Sequence, residues 1–169
     1  VFKLYLASMM IPTQVTMIPL FVVMNRLGLI NTYPSVILPS LFRAFAVFML
    51  VQQMRGIPDD YMEAAELDGA SLFRIYRTVI LPLSKSSIAT LTVTTFMESW
   101  NDYLWPLLML NDKNKMTLTL ALNSLNGQYG TEYNLLMAGS LISMIPIIIV
   151  YICAQKYFKE GLMAGGVKG

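Results

Sequence analysis

The chain has 169 residues, of which 56 % are hydrophobic and 13 % are charged, about half the charged share of an ordinary soluble domain. Its 12 basic and 10 acidic residues leave a formal charge of +2 with no basic run, which argues against nucleic acid as a partner. Histidine is absent and Cys153 is the single cysteine, so a disulfide framework, a Cys/His metal site and a histidine base are excluded. Because Val1 leads directly into apolar sequence, we expect the chain to be part of a longer protein.

Stretches almost free of charge divide the chain into segments that can be compared with the thickness of a bilayer. About 20 apolar residues are needed to cross the hydrocarbon core. The predicted spans cover residues 4–25, 36–54, 86–110 and 133–155. Pro12 and Pro19 are expected to bend the first span. Because the first and fourth segments show no polar face at a helical period, a water-soluble bundle is disfavoured. The sequence therefore predicts an all-α, polytopic membrane helix bundle with about four transmembrane helices.

The basic residues predict the orientation of these spans. If four spans alternate, eight basic residues lie on one side: Lys3, Arg55, Arg74, Arg77, Lys85, Lys156, Lys159 and Lys168. Three lie on the other side: Arg26, Lys113 and Lys115. The positive-inside rule then predicts that the 55–85 loop and the C-terminus are cytoplasmic, and that the 26–35 and 111–132 loops face outward.

The 55–85 loop has the sequence of a short helix and not of a flexible linker. Asp59 or Asp60 is expected to cap the first turn, with Glu63 placed as in a capping box, and Gly69 to end the helix in the left-handed conformation. At 1.5 Å per residue the rod is about 12 Å long, too short to be stable alone in water. We therefore expect it to dock on a partner. A second helix is expected to follow over residues 72–80, with Ser71 as its cap, and to end before Leu81-Pro82.

Three short motifs in this loop stand at a characteristic spacing: Glu63-Ala64-Ala65, Asp68-Gly69-Ala70 and Ile80-Leu81-Pro82. They resemble the "EAA" signature of bacterial ABC importer permeases, although Ser86 stands where that signature commonly has a second proline. The stretches SWNDYLWP at 99–106 and GLMAGGVKG at 161–169 look like the carbohydrate-uptake subgroup, and the chain is similar to the smaller maltose-transporter permease. The resemblance covers the whole chain. It implies the type I importer permease fold, with six spans of which this chain would hold the last four.

The resemblance implies that residues 60–70 form a coupling helix, which receives ATP-driven motion from a cytoplasmic ATPase. The residues to which it gives this coupling role are Glu63, Ala64, Ala65, Asp68, Gly69, Ala70, Leu81 and Pro82. Gly165, Gly166 and Lys168 in the tail are further candidates for contact with the ATPase. The competing interpretation is that the loop residues only cap and end a surface helix, and that the tail is a frayed terminus.

The same resemblance implies a set of partners and a location. The partners would be an ABC ATPase dimer, a second permease and an extracytoplasmic solute-binding protein, and the solute would be a sugar or oligosaccharide. The chain itself would have no catalytic site and bind no cofactor, because ATP and Mg belong to the ATPase. It would be a multi-pass protein in the cytoplasmic membrane of a bacterium, surrounded by lipid.

The third segment carries polar residues where a membrane span can least accommodate them. An ionisable side chain at the bilayer centre costs at least about 2.5–3.5 kcal/mol, so Glu98 is expected to avoid lipid. Glu98, Asn101 and Asp102 stand at positions i, i+3 and i+4, so all three are expected to project from one helix face. That face could line the translocation path or pair with Arg43 of the second segment. A buried polar clasp between helices, without contact to the solute, is an equally open alternative.

Two other functions remain open at this point. Glu98 and Asp102 could form the relay of a proton-coupled carrier or channel, which would leave the 57–82 loop unexplained. A membrane enzyme with this carboxylate pair is the other, although the absence of histidine and of a metal-ligand cluster argues against hydrolysis. Trp100 and Trp105 could stack on a sugar ring, but aromatic residues near a membrane interface are more often anchors.

Overall fold

The computed structural model describes residues 2–127 and 130–165. Eleven α-helices account for most of this part of the chain. In chain order they are α1 (Phe2–Ser8), α2 (Thr13–Arg26), α3 (Tyr33–Ser40), α4 (Ala44–Arg55), α5 (Asp60–Leu67), α6 (Leu72–Ile75), α7 (Leu81–Leu83), α8 (Lys85–Trp100), α9 (Leu104–Met109), α10 (Leu118–Ser124) and α11 (Tyr133–Gly165).

Short elements join some of these helices. A π-helical turn at Tyr76–Ile80 connects α6 to α7, and a 3₁₀ turn at Lys113–Lys115 precedes α10. Two-residue strands, β1 (Asn126–Gly127) and β2 (Gly130–Thr131), pair in antiparallel register. Because these four strand residues only form a local hairpin, the prediction of an all-α fold is confirmed for the described chain.

The chain divides into two compact units, one made of residues 1–43 and 95–149 and the other of residues 44–94 and 150–169. The first unit has a core of large apolar side chains from α2, α9, α10 and the residue after α9. These side chains are Met24, Trp105, Met109, Leu110 and Leu120. In the second unit the buried side chains include Ile57, Ile75, Ser84 and Ala89. Each unit therefore has buried residues of its own.

Two helical stretches of the described chain are long and apolar enough to cross a membrane. They are Tyr33–Arg55, with a mean hydropathy of 1.8, and Tyr133–Tyr157, with a mean hydropathy of 2.4. A third results if Leu72–Leu83 and Lys85–Trp100, which meet at 71°, are counted as one broken span. Large apolar side chains along α11, such as Ile142 and Ile149, are exposed, as expected for surfaces covered by lipid or by other helices.

The first predicted segment is not one kinked helix. The helix α1 ends at Ser8, and α2 begins after Pro12, so the bend at Pro12 is a complete break. Proline has no N–H to donate and is tolerated at the start of a helix, which explains why the second piece starts there. Pro19 lies inside α2, which continues past it to Arg26.

The helix α3 contains a proline whose effect is compensated by another helix. Pro39 has no N–H to donate to the carbonyl of Ser35, four residues before it. The indole Nε1–H of Trp105 donates to that carbonyl at 3.0 Å instead. Trp105 is therefore a core residue of the first unit, and the idea that it stacks on a sugar is wrong.

The prediction of an unbroken helix over residues 86–110 is also wrong. The helix α8 ends at Trp100, and α9 begins only at Leu104. The cause is Pro106, which cannot donate to the carbonyl of Asp102 and whose ring would collide with that carbonyl in a continuous helix. Asn101 and Asp102 consequently lie in the break between the two helices.

Candidate functional site

The helix α5 forms where the loop sequence predicts it, but it does not begin with a side-chain cap. Asp59 is itself helical, with φ −63° and ψ −27°, and its side chain makes no capping hydrogen bond. The first N–H groups donate to backbone carbonyls instead: Tyr61 to Pro58 at 3.3 Å, and Met62 to Asp59 at 2.8 Å. The predicted capping box is therefore wrong, because these backbone bonds satisfy the donors that it would have served.

The C-terminal end of α5 agrees with the prediction. Gly69 has φ +75°, a conformation that glycine adopts without the steric cost of a side chain. Its N–H donates to Glu66 O at 2.9 Å, and the N–H of Ala70 donates to Ala65 O at 3.0 Å, which together make a Schellman motif. A Cβ built on Gly69 would meet nothing within 4 Å in this chain, so the conformation and not the available space calls for glycine.

The outer face of this loop is both acidic and apolar. Glu63, Ala64, Glu66 and Asp68 are exposed, whereas Ala65 is half-buried. Three large apolar side chains stand beside them in the open, namely Leu67 (90 % exposed), Leu72 (79 %) and Phe73 (73 %). The exposure of these three residues was not predicted from the sequence. Exposed apolar side chains that form a patch with a polar rim are typical of a contact surface. We refer to the exposed residues Glu63, Glu66, Leu67, Leu72 and Phe73 of this loop together as the docking face.

The second helix of the loop begins as predicted and ends later. Ser71 accepts a hydrogen bond from the N–H of Arg74, as expected of a cap. The helix then widens into the π-turn, in which the N–H of Leu81 donates to Tyr76 O, and continues through Pro82 to Leu83. The expected stop before Leu81-Pro82 is wrong, because proline is tolerated in the first turn of the short helix that follows the π-turn.

The helix pair Leu72–Leu83 and α8 bends by 71° at Ser84. The Ser84 side chain is fully buried, and its N–H donates to Ile80 O at 3.0 Å. Leu81 is half-buried and Pro82 is exposed beside this bend. The two residues thus lie at the corner and not on the docking face.

The tail candidates lie mostly beyond the part of the chain that can be described. Gly165 is the last residue of α11. Gly166 and Lys168 lie outside the described residues.

The first unit brings two of the predicted polar residues of the spans together. Arg43, at the break between α3 and α4, donates from Nη1 to Oε2 of Glu98 near the end of α8. Its Nη2 donates to the hydroxyl of Ser99 at 3.0 Å. The pairing of Arg43 with Glu98 was one of the possibilities open from the sequence, and Ser99 is an addition. These three residues form the Arg43 cluster.

Asn101 and Asp102 do not join this cluster. The side-chain amide of Asn101 donates to the carbonyl of Met97 at 2.9 Å, and Asp102 accepts from the N–H of Trp105 at 3.4 Å. Both side chains thus satisfy backbone groups at the break between α8 and α9. The expected common face with Glu98 is wrong, because the helix ends before it reaches them.

Trp100, the last residue of α8, links three helices of the first unit. Its indole N–H donates to the carbonyl of Ser143 in α11 at 3.1 Å, and its own carbonyl accepts from the Thr119 hydroxyl of α10 at 2.7 Å. Its ring stacks on Phe96, with 5.5 Å between the ring centroids. These contacts give Trp100 a role in holding α8, α10 and α11 together.

Comparison with known proteins agrees with this combination of apolar helices and a structured loop. Residues 2–163 match the family described as the binding-protein-dependent transport system inner membrane component. The arabinooligosaccharides transport system permease protein AraQ of Halalkalibacterium halodurans is 42 % identical over 168 residues, covering 99 % of this chain and 60 % of that protein. The sn-glycerol-3-phosphate transport system permease protein UgpE of Pectobacterium atrosepticum is 37 % identical, covering 96 % of this chain and 58 % of that protein.

A solved structure is also similar. It is a crystal structure of a bacterial ABC transporter involved in the import of the acidic polysaccharide alginate, with a TM-score of 0.71 and 28 % identity, covering 83 % of this chain and 55 % of that chain. The chain thus spans about 60 % of the length of the curated relatives it matches. The chain belongs to the family of binding-protein-dependent transport system inner membrane components, which confirms the family resemblance predicted from the sequence.

Proposed function

We propose that this chain is part of a permease subunit of an ABC importer, and that the importer moves a sugar or oligosaccharide inward. The observation that carries the proposal is the docking face, in which a short acidic helix and the helix after it expose large apolar side chains. An eight-residue helix does not persist alone in water, and exposed Leu67, Leu72 and Phe73 favour burial against a protein. In a family of transport components, a cytoplasmic ATPase is the partner that suits this surface.

The proposed mechanism assigns the mechanical step to the loop. Two ATPase subunits close on ATP and Mg, and the cleft that holds α5 moves with them. Glu63 pairs with a basic group of the ATPase, Ala64 packs against its cleft, and the Schellman motif at Gly69 keeps the end of α5 rigid. Leu81 and Pro82 form the corner at which the motion passes to α8. This chain catalyses no reaction itself, because ATP is hydrolysed in the partner.

The remaining partners and the orientation are part of the same proposal. A second permease completes the path, and an extracytoplasmic solute-binding protein delivers the solute to the outward loops. The charge difference between the loops supports a cytoplasmic 55–85 loop and a cytoplasmic C-terminus. Gly165, Gly166 and Lys168 are then on the side where they can contact the ATPase.

The solute assignment rests on similarity and on the polar groups of the spans. The relative with 42 % identity is named for arabinooligosaccharides, so an oligosaccharide of this kind is the best first substrate to test. Arg43 and Glu98 are the residues of this chain proposed to line the path. Asn101 and Asp102 are proposed to affect the path indirectly. They stabilise the break between α8 and α9 and do not bind the solute themselves.

The test compares two glycines with the same local geometry. Gly28, which follows α2, also has positive φ (+69°), also ends its helix with Schellman bonds, and also has nothing within 4 Å of a built Cβ. In the assembled full-length transporter, Gly69→Ala and Gly28→Ala should therefore impose a similar strain of roughly 1 kcal/mol on the permease. We expect Gly69→Ala alone to lower both arabinotriose uptake and the amount of ATPase that copurifies with the permease.

Two results would contradict the coupling function. One is equal ATPase retention and uptake in the Gly69→Ala and Gly28→Ala transporters. The other is uptake that follows a proton gradient in vesicles without any ATPase, which would favour the proton-coupled carrier instead.

A further inference from the structure

The Arg43 cluster uses only part of its hydrogen-bonding capacity. A guanidinium group carries five N–H donors, and the bonds to Glu98 and Ser99 occupy two of them. Within the described part of the chain, Oε1 of Glu98 accepts no hydrogen bond. The Glu98 side chain is 58 % exposed and the Arg43 side chain 26 % exposed. Donors and an acceptor are thus available side by side.

The cluster lies in segments that the sequence assigns to membrane spans. Ionised side chains at that depth do not face lipid, so the open side of the pair faces either protein or a water-filled path. Sugar hydroxyls both donate and accept hydrogen bonds, and bonds to charged groups are stronger than bonds between neutral ones. An exposed carboxylate beside a guanidinium therefore offers suitable partners for neighbouring hydroxyls of one sugar.

The charge of the cluster decides which solutes it can accept. A guanidinium without a counter-ion binds carboxylates and phosphates through two parallel hydrogen bonds. Here the Glu98 carboxylate already neutralises Arg43 through one charged hydrogen bond and would repel a second anion. The similar proteins include both an arabinooligosaccharide and a glycerol phosphate permease, so family membership alone does not decide the charge of the solute.

We propose that Arg43, Glu98 and Ser99 form an electroneutral site for saccharide hydroxyls, in which Glu98 excludes acidic sugars by neutralising Arg43. The proposal rests on the importer function proposed above and adds the charge class of the solute. It makes Glu98 a specificity-determining residue.

The experiment uses the assembled full-length transporter in proteoliposomes with ATP inside. The measured quantity is the uptake of arabinotriose, which the binding protein delivers from outside. The inhibitor trigalacturonate is enclosed in the lumen, on the ATPase side, because no binding protein selects solutes there. Vesicles with matched ionic strength correct for nonspecific salt effects. The variants are Glu98→Gln, the isoelectric double variant Arg43→Gln/Glu98→Gln, and Ser40→Ala as the matched control. Ser40 is a half-buried serine of α3 whose hydroxyl donates to Ile37 O.

Trigalacturonate should inhibit the Glu98→Gln transporter at about one tenth of the concentration needed for the wild type, since one charge-assisted contact is worth about that factor. The double variant should return to within about twofold of the wild type, and Ser40→Ala should not differ from it. If Glu98→Gln fails to assemble, Arg43→Gln provides the test. In that variant the Glu98 carboxylate has lost its guanidinium partner, so the cationic sugar triglucosamine in the lumen should inhibit uptake at a concentration lower by a similar factor.

Inhibition that is the same in the variants and in the wild type would overturn the proposal and show a purely structural clasp, while leaving the importer function intact. Wild-type vesicles that take up no arabinotriose would overturn the oligosaccharide assignment, and this proposal with it.

Discussion

Asn31 shows how a single residue can organise the loop that follows α2. It has φ +62°, which is unusual for a residue other than glycine, and its N–H donates to the carbonyl of Met109 at 2.7 Å. Its side-chain oxygen accepts from the N–H groups of Asn111 and Asp112, at 3.1 and 3.0 Å. Lys115 donates to its carbonyl at 2.9 Å. One side chain thus ties the 27–32 loop to the segment after α9.

Asn31→Ala should destabilise the full-length permease by about 2–3 kcal/mol, because two hydrogen bonds of about 1 kcal/mol each are lost and the left-handed backbone is strained by about 1 kcal/mol. The measurement is the Tm of the detergent-solubilised protein. Asn31→Asp is the control, since aspartate keeps the acceptor oxygen and should lower Tm less. Equal Tm losses in the two variants would contradict this account.

At this scale, local features could be predicted from the sequence and distant partners could not. Gly69 and Ser71 act on residues within five positions, so their motifs are visible in the sequence. Arg43 could be paired with Glu98 as one possibility, because an ionisable residue in a span needs a partner. The hydrogen bonds of Ser99 and Asn31 join residues 56 and 80 positions apart, so no local sequence pattern predicts them.

Among the helices, α5 combines a predictable end with an unpredicted surface. Its C-terminus follows from Gly69, whereas the exposure of Leu67, Leu72 and Phe73 depends on how the loop folds. These side chains contribute little to the folding stability of this chain, because most of their surface makes no contact with the rest of it. If the docking face binds the ATPase, their substitution should therefore affect association more than folding.

Leu67→Asp should weaken the association of permease and ATPase about tenfold, because it places a charge in an apolar contact. The measurement is the ATPase concentration at which half of the permease, reconstituted in nanodiscs, is bound. Leu27→Asp is the matched control, because Leu27 is also exposed at the end of a helix, before a left-handed glycine, in a loop predicted to face outward. Both variants should keep the Tm of the wild type. An unchanged half-saturation concentration for Leu67→Asp would exclude this side chain from the contact.

The boundaries of the helices were predicted less well than their existence, and prolines explain most of the errors. Pro12 separates α1 from α2, and Pro106 ends the continuity expected over residues 86–110. Pro82, in contrast, was expected to end a helix and lies inside a helical stretch that contains a π-turn. The sequence shows where a backbone donor is missing, but whether the chain breaks or adjusts depends on contacts that form elsewhere.

For the whole molecule, the all-α class and the family were predictable because both depend on patterns that extend over many residues. A prediction based on apolar stretches and their flanking charges stays correct even when the boundaries of one helix are wrong by several residues. The division into two units was not predictable, because each unit combines segments that are distant in the sequence.

The predicted orientation can be tested with cysteine labelling of intact cells that produce the full-length permease. Cys153 is exposed in the described structure, so it is first replaced by serine. Lys113→Cys should then react with a membrane-impermeant maleimide applied outside, and Glu66→Cys should react only after the membrane is opened. Both residues are exposed, so access and not burial decides the result. Labelling in the opposite order would reverse the topology.

The exposed leucine and phenylalanine side chains of the docking face also have a consequence for the cell. If the docking face binds an ATPase as proposed, a newly made chain without that partner would expose an apolar and acidic surface on the inner side of the membrane. Proteases that recognise such patches would remove orphan copies and spare assembled ones. We therefore expect the lifetime of this subunit to follow the supply of its partner.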